Sequence, residues 1–225
     1  MGIMRKMLSK IKSIFDPSSA SEKIISKKVK KYRSALKNEN FSILSSNCIA
    51  GTIYNRLGEK FLTPTINLYF SEKGFVKFCC NLDYYLSCKL RFVESDLAYP
   101  VGELGDGDKA IQLFFNHHNC PEDAQKDWER RKGRINRENL YIIFYNIDIS
   151  VDEIRAIEQV HCKNIAVLTS TPLPLKYAYY VKKTETKPGE EHFMQDHYLD
   201  KDKNGIRKFE KYFDFVSWLN TDQNH

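Results

Sequence analysis

Apolar and polar positions change over in short runs along most of the chain, and the runs follow one of two periods. Ile3, Met4, Met7, Leu8, Ile11, Ile14 and Phe15 recur at helical spacing with lysines on much of the other face, which predicts an amphipathic basic helix. Asp16-Pro17-Ser18-Ser19 breaks it, and a second basic helix is predicted from about Glu22 to Leu36. Residues 41–46 read as a short buried strand. Asn47 is placed to cap a helix over 49–57, which Gly58 ends. Residues 63–70 are extended, and Ser71-Glu72-Lys73 opens a helix carrying Phe75, Phe78, Leu82, Tyr85 and Leu86. Strands follow at 90–93, 99–104 and 110–115, then a polar helix from Pro121-Glu122-Asp123 through Trp128 toward Arg131. Residues 140–145 form a strongly apolar strand, 152–160 a helix, 164–168 a strand and 177–181 a last strand. Residues 182–205 are polar and read as a surface loop, a candidate lid. Phe209, Phe213, Val216, Trp218 and Leu219 suggest a C-terminal helix that returns to the body.

Short apolar strands alternating with helices predict an α/β fold with a largely parallel sheet. The clearest unit is the 140–145 strand, the 152–160 helix and the 164–168 strand, joined by a right-handed crossover. The organisation expected is a basic amphipathic helical extension over residues 1–38 and a single α/β domain over 39–225.

Composition narrows the class. The 225 residues are 42% apolar, 13% aromatic and 28% charged, which suits a folded chain with a real core. No apolar run approaches the length of a membrane-spanning helix. The net charge of +6 is uneven. Residues 1–37 hold eleven Lys or Arg against two acids, a segment charge of +9, which leaves −3 for the rest. The basic character therefore belongs to the N-terminal segment, and no nucleic-acid partner is expected. Its chemistry suits an anionic membrane surface, at about 1 kcal/mol per basic residue near the headgroups. The competing expectation is that its apolar stripe packs on the body or a second subunit. Arg5, Lys6, Lys10 and Lys12 interrupt any secretory signal, and the six cysteines lack a CxxC pair. Reduced thiols and a cytoplasmic location, at the inner face of the membrane if the basic segment binds it, are expected.

In an open α/β sheet ligands sit at the carboxyl ends of strands. Four predicted ends are polar: Ser45-Ser46-Asn47-Cys48, Asn116-His117-His118-Asn119, Asn146-Ile147-Asp148 and Thr169-Ser170-Thr171. They are expected to share one rim. The run from Ser46 to Gly51 enters a helix N-terminus, where free amides and the dipole suit a phosphate or carboxylate. It matches neither dinucleotide nor P-loop glycine patterns, and an ordinary Asn cap explains it as well. Cys48 at that helix start is a candidate nucleophile, although buried cysteine is the commoner case. His117 follows the alternation of Ile111, Leu113 and Phe115 and is the candidate general base, with His118 facing the other way. Arg131, Arg134 and Asn136 form a polar cluster suited to holding a phosphate or acidic sugar, or else a solvated helix end. Asp106-Gly107-Asp108 has the form of a metal-holding acid pair, but a turn is the better reading. His192 and His197 lack companion ligands. No metal site and no cofactor are expected.

Several motifs together resemble one bacterial family, the domain of unknown function nineteen-nineteen, often labelled "exopolysaccharide biosynthesis protein". They are Ser46-Asn47-Cys48-Ile49-Ala50-Gly51, Ile53-Tyr54, Leu57-Gly58 and Thr63-Pro64-Thr65-Ile66-Asn67-Leu68, then Phe75-x-x-Phe78 and Tyr99-Pro100-Val101-Gly102. Phe115-x-His117, Trp128-x-x-Arg131, Arg134-Ile135-Asn136 and Asn139-Leu140 complete the set. The resemblance spans roughly residues 40–220. This chain has His118 where the family pattern has an aromatic, and Lys109-Ala110 where it has an acid before the strand. The resemblance implies a Rossmann-like three-layer α/β body and a place in surface-polysaccharide synthesis.

Residues and resemblance together give two expectations. One is a glycosyl- or acyltransferase acting on a sugar with a nucleotide-sugar or acyl donor. In it Ser46, Asn47 and the amides up to Gly51 hold an anionic donor, His117 deprotonates a sugar hydroxyl and Asn67 orients substrate. Arg131, Arg134 and Asn136 steady an acidic group, His118 is a further substrate-binding candidate, and Cys48 is a secondary candidate for a covalent acyl intermediate. The other is a non-catalytic glycan- or nucleotide-sugar-binding protein, or a scaffold of a synthesis complex.

Overall fold

The computed structural model describes residues 17–146, 149–182 and 197–221. The helix predicted over 1–15, most of the predicted polar loop and residues 147–148 of the expected rim lie outside the described residues. In chain order the helices are α1 (Pro17–Ala35), α2 (Ile49–Leu57), α3 (Glu72–Cys80), α4 (Leu82–Ser87), α5 (Pro121–Lys132), α6 (Val151–Arg155) and α7 (Phe215–Asn220). The strands are β1 (Ser42–Ser45), β2 (Tyr69–Phe70), β3 (Arg91–Val93), β4 (Val101–Leu104), β5 (Ile111–Phe114), β6 (Leu140–Asn146), β7 (Asn164–Thr169) and β8 (Ala178–Tyr180).

The apolar runs of β1, β6 and β7 make the centre of a four-stranded sheet, ordered β1-β6-β7-β8 and parallel throughout. Such strands are covered on both faces, so they read as continuous apolar runs. The pleat then sorts the side chains. Leu140, Ile142, Phe144, Ile165 and Val167 enter one buried cluster with Phe75 and Phe78 of α3 and Ile154 of α6. Tyr141, Ile143, Tyr145, Ala166 and Leu168 enter a second with Ile49, Ile53 and Tyr54 of α2 and Phe215, Trp218 and Leu219 of α7. Helices thus cover both faces of the parallel sheet.

The sequence predicts one largely parallel sheet, and here the structure corrects it. Residues 69–114 supply a second, antiparallel sheet ordered β2-β5-β4-β3, inserted between β1 and its neighbour β6. In β5, Ile111 and Leu113 are buried while Gln112 is exposed. That alternation belongs to a strand covered on one face, as antiparallel strands commonly are. The inner face joins the first cluster through Leu104, Ile111, Leu113 and Phe115. The predicted long extended stretch at 63–70 pairs only over Tyr69–Phe70. Before it the chain is held by side chains, with Thr65 Oγ1 accepting from the Ser45 amide at 2.9 Å. Asn81, at φ −130°, divides the single helix predicted after Ser71 into α3 and α4.

The described part of the basic segment docks on the body. The Tyr32 ring lies 4.6 Å from that of Phe215, and Arg33 Nε donates to the Arg56 carbonyl at 3.2 Å. Lys23, Lys27, Lys30 and Lys31 are exposed on α1, away from the half-buried Tyr32 and Leu36.

Candidate active site

At the carboxyl end of β1 the chain turns into α2. The buried Ser46 gives its carbonyl to the Phe70 amide at 2.9 Å, which ties this turn to the first strand of the second sheet. Asn47 Oδ1 accepts from the Ile49 amide at 3.1 Å. Asn47 therefore satisfies an orphan amide as expected of a cap, but from one position earlier, and Cys48 occupies the N-cap position itself. The Cys48 carbonyl accepts from the Thr52 amide at 3.1 Å and from Thr52 Oγ1 at 3.2 Å. Amides of the first turn ahead of Thr52 have no acceptor within the helix, and the dipole makes this end positive. A Cβ on Gly51 would lie 3.9 Å from the Ile66 side chain, so the first turn of α2 rests against the 65–68 loop. In that loop Asn67 holds a left-handed φ of 61°, a conformation that asparagine tolerates better than most residues.

The second sheet brings the histidines. Beyond β5 the Phe115 amide donates to the Pro100 carbonyl at 3.0 Å, and the His118 amide folds back on the Phe115 carbonyl at 2.9 Å. The segment is thus a turn, where the sequence suggested an extended run. The turn sets His117 outward and toward α2, with Nε2 at 3.3 Å from Cys48 Sγ. The thiol can donate to the imidazole, or the imidazolium to the thiolate. His118 turns inward, edge-on to Phe115 with ring centres 5.6 Å apart, and its Nε2 lies 3.2 Å from Asp127 Oδ2, so it braces the turn and does not present itself to a substrate as the sequence suggested. Its Nδ1 is buried without a hydrogen-bond partner.

Asp127 is the centre of a brace behind this pair. Its carboxylate also receives Arg131 Nη2 at 2.6 Å and Arg130 Nη2. Arg131, buried on α5, donates through Nη1 to the Ile66 carbonyl at 2.9 Å. The chain of contacts therefore runs from the histidine turn, through Asp127 and Arg131, to the loop under Gly51. Partial burial opposes ionisation of Asp127, but hydrogen bonds from Arg130 and His118 and the charge of Arg131 outweigh it and hold the carboxyl below its usual range. Burial lowers the Arg131 pKa, with Asp127 opposing.

The remaining predicted residues are more dispersed. Arg134 is half-buried and its amide donates to the Arg131 carbonyl at 3.0 Å. Asn136 sits at the opposite end of β1, where its amide donates to Ser42 Oγ and its Nδ2 to the Asn40 carbonyl, both at 2.8 Å. Thr169 Oγ1 closes its own turn by donating to the Thr171 carbonyl at 2.8 Å. The ends of β1, β6 and β7 lie on one edge of the parallel sheet, as expected, and only the histidine end is corrected, because it follows β5 of the antiparallel sheet. Cys48 comes from the parallel sheet and His117 from the antiparallel one, and the two meet across the junction. Asp106 pairs with Arg91 at 2.6 Å beside a turn at Gly107–Lys109. Among the described residues no group of three or more His, Cys, Asp or Glu is placed to hold a metal. Asp127 is the site residue that the sequence does not single out, its one signal being the i,i+4 helical spacing to Arg131.

A family model described as "Domain of unknown function (DUF1919)" matches residues 20–220, and so reaches into the basic segment. An uncharacterized protein of Haemophilus influenzae is 32% identical over 187 residues, which cover 82% of this chain and 86% of the other. Neither description states an activity.

Proposed function

The chain belongs to the DUF1919 family, and we propose that it is a transferase of surface-polysaccharide synthesis that carries an acyl group on Cys48 and passes it to a sugar hydroxyl. The supporting observation is the 3.3 Å approach of His117 Nε2 to Cys48 Sγ at the N-terminus of α2. A thiol held against an imidazole at the positive end of a helix is set up as a nucleophile. In the first half-reaction the Cys48 thiol gives its proton to His117 and attacks the carbonyl carbon of an activated acyl donor. The donor's leaving group takes that proton and departs, leaving a thioester. First-turn amides of α2 supply donors for the transient oxyanion. In the second half-reaction His117 takes the proton of a sugar hydroxyl, the oxygen attacks the thioester, and the thiol is restored. A thioester is the activated form from which an acyl group moves on, which favours the acyl donor over the sugar donor. The Arg131 guanidinium is already engaged with Asp127 and Ile66, so its part is to brace the site, while Arg134 is left for an anionic group of the donor. The polysaccharide context rests on the family resemblance.

The exposed lysines of α1 support an anionic membrane surface as the place of work, with the chain on its cytoplasmic side. The test of the chemistry is intact-mass analysis of the full chain after incubation with acetyl-coenzyme A. One acetyl group per chain is expected, lost in Cys48→Ala and strongly reduced in His117→Ala with circular dichroism unchanged. An adduct indifferent to Cys48→Ala, or none at all, would overturn the reading in favour of a binding protein.

A further inference from the structure

The loop joining β3 to β4, with residues 94–98 exposed, borders an open surface cavity of about 540 Å³. It is lined by residues 93–101 together with Asn119 and Pro121. Its far wall is Asn119 and Pro121, which follow the turn that carries His117, and two contacts fix the near wall, one to that turn and one to β2. The Phe115 amide holds the Pro100 carbonyl, and Tyr99 Oη lies 2.6 Å from Tyr69 Oη on β2. The Tyr69 ring in turn stacks on Phe114 at 4.6 Å, and β2 continues from the Asn67 loop. The cavity and the Cys48–His117 pair therefore flank one turn.

Its lining is specific in chemistry. Glu94 and Asp96 bring two carboxylates, Ser95 and Tyr99 bring hydroxyls, and Asn119 brings an amide. Leu97, 45% exposed, and Pro100 offer apolar surface. No lysine, arginine or histidine lines it among the described residues. Carboxylates and amides facing water beside apolar patches match a ligand rich in hydroxyls on one side and C–H groups on the other. Two carboxylates without a cation repel phosphate and uronate and attract an amine.

We infer that this cavity is the acceptor subsite of the transferase, and that it takes a neutral or amino sugar and rejects uronic acids and sugar phosphates. The inference rests on the acyl-transfer reading, since it names the acceptor of that reaction. In the second half-reaction a hydroxyl that the sugar extends out of the cavity past Asn119, two residues along the chain from His117, gives its proton to His117 as its oxygen bonds to the acyl carbon, and the Cys48 thiolate leaves.

The test is amide chemical-shift mapping of the isotopically labelled full chain with glucose, glucosamine and glucuronate at equal concentrations. Glucosamine and glucose are expected to move the amides of 93–101 and Asn119, and glucuronate to leave them in place. The exposed pair Glu94→Gln with Asp96→Asn should weaken glucosamine about tenfold and admit glucuronate, with the rest of the spectrum retained. Equal response to glucuronate, or no response at this loop to any of the three sugars, would overturn the subsite. Cys48 acylation without sugar response at the loop would overturn the subsite alone. Sugar response without acylation would support the cavity as a sugar site and overturn the transferase.

Discussion

Glu210→Gln is expected to loosen α1 from the body. Glu210 lies in the C-terminal segment with its side chain 1% exposed, and it is the point where three parts of the chain meet. Its Oε1 accepts from Arg56 Nη2 of α2 at 2.8 Å, from Arg56 Nε at 3.2 Å and from the Arg207 amide at 2.9 Å. Its Oε2 accepts from Tyr32 Oη of α1 at 3.2 Å. Burial, together with the neighbouring carboxylate, drives the Tyr32 phenol far above its ordinary pKa, so it remains a donor at any working pH. Glutamine keeps the shape but presents an NH2 group where one of these donors now ends. Removing one partner of a buried ion pair costs about 3–5 kcal/mol. Arg56 is 16% exposed, so water recovers part of that for the abandoned guanidinium, and a loss of about 2–3 kcal/mol is expected. In a chain of this size each kcal/mol moves Tm by about 2–4 °C, giving a fall of roughly 4–12 °C. Thermal unfolding followed by circular dichroism measures it, and limited proteolysis at the lysines of α1 reports whether that helix is released first. Adding Arg56→Gln on top should cost less than the two single changes together, because the second change removes a charge already stranded. A Tm within about 1 °C of the parent would refute the reasoning, because the pair would then be no better than a solvated one.

Four further outcomes are expected. Gly102→Ala places a Cβ 2.6 Å from Leu90 Cδ1 and 2.9 Å from Phe115 Cε2, both buried, and should cost about 1–3 kcal/mol in urea unfolding. Limiting iodoacetamide at neutral pH should label Cys48 ahead of Cys79, Cys80 and Cys162. Burial raises the thiol pKa of these three, Cys162 to about 11, and peptide mapping that finds Cys48 last would count against a nucleophilic role. The depressed carboxyl of Asp127 contributes stability that is complete above the usual carboxylate pKa of about 3.9 and is lost as pH falls through its folded value. Asp127→Asn should therefore lower the urea midpoint at pH 7 and flatten its decline in acid. Reversing Lys23, Lys27 and Lys30 to Glu should weaken binding to phosphatidylserine vesicles at low salt by at least about a hundredfold, since losing three basic residues at about 1 kcal/mol each already gives that much. Unchanged binding would remove the membrane from the proposal. Charge reversal is the better perturbation than deleting residues 1–37, because Tyr32 and Leu36 cover part of the core.

What was legible in the sequence follows from how local each signal is. Helix α2 came out residue for residue because both ends are marked on the chain, by Asn47 before it and by Gly58, at φ 76°, after it. The strands β6 and β7 were legible from uninterrupted apolar runs. Nothing in the apolar runs assigns β5 to a second sheet, although the polar Gln112 between Ile111 and Leu113 hints at a strand with one covered face. Sheet membership is decided by which residues cover a strand, and in β5 only one face is covered by the core. The brace through Asp127 is half legible, since an i,i+4 spacing pairs Asp127 with Arg131 on the helix but gives no sign of the Ile66 carbonyl or of His118.

The candidate site itself depends on that second sheet, and this explains both why its residues stood out and why their arrangement did not. Cys48 and His117 lie 69 positions apart, on strand ends belonging to different sheets. No periodicity links them. Three short contacts do: Phe70 amide to Ser46 carbonyl, Arg131 to Ile66 carbonyl, and His118 to Asp127. The first ties the second sheet to the carboxyl end of β1, the second ties α5 to the loop beneath α2, and the third ties the histidine turn to α5. The thiol and the imidazole thus come into contact only when the antiparallel sheet is seated against the parallel one. A chemical property of Cys48 that depends on His117 is consequently a reporter of that seating. Disturbing Gly102, whose added Cβ pushes on Phe115 two residues before His117, should therefore slow Cys48 labelling by more than the same loss of stability placed at Glu210, which lies on the other face of the parallel sheet.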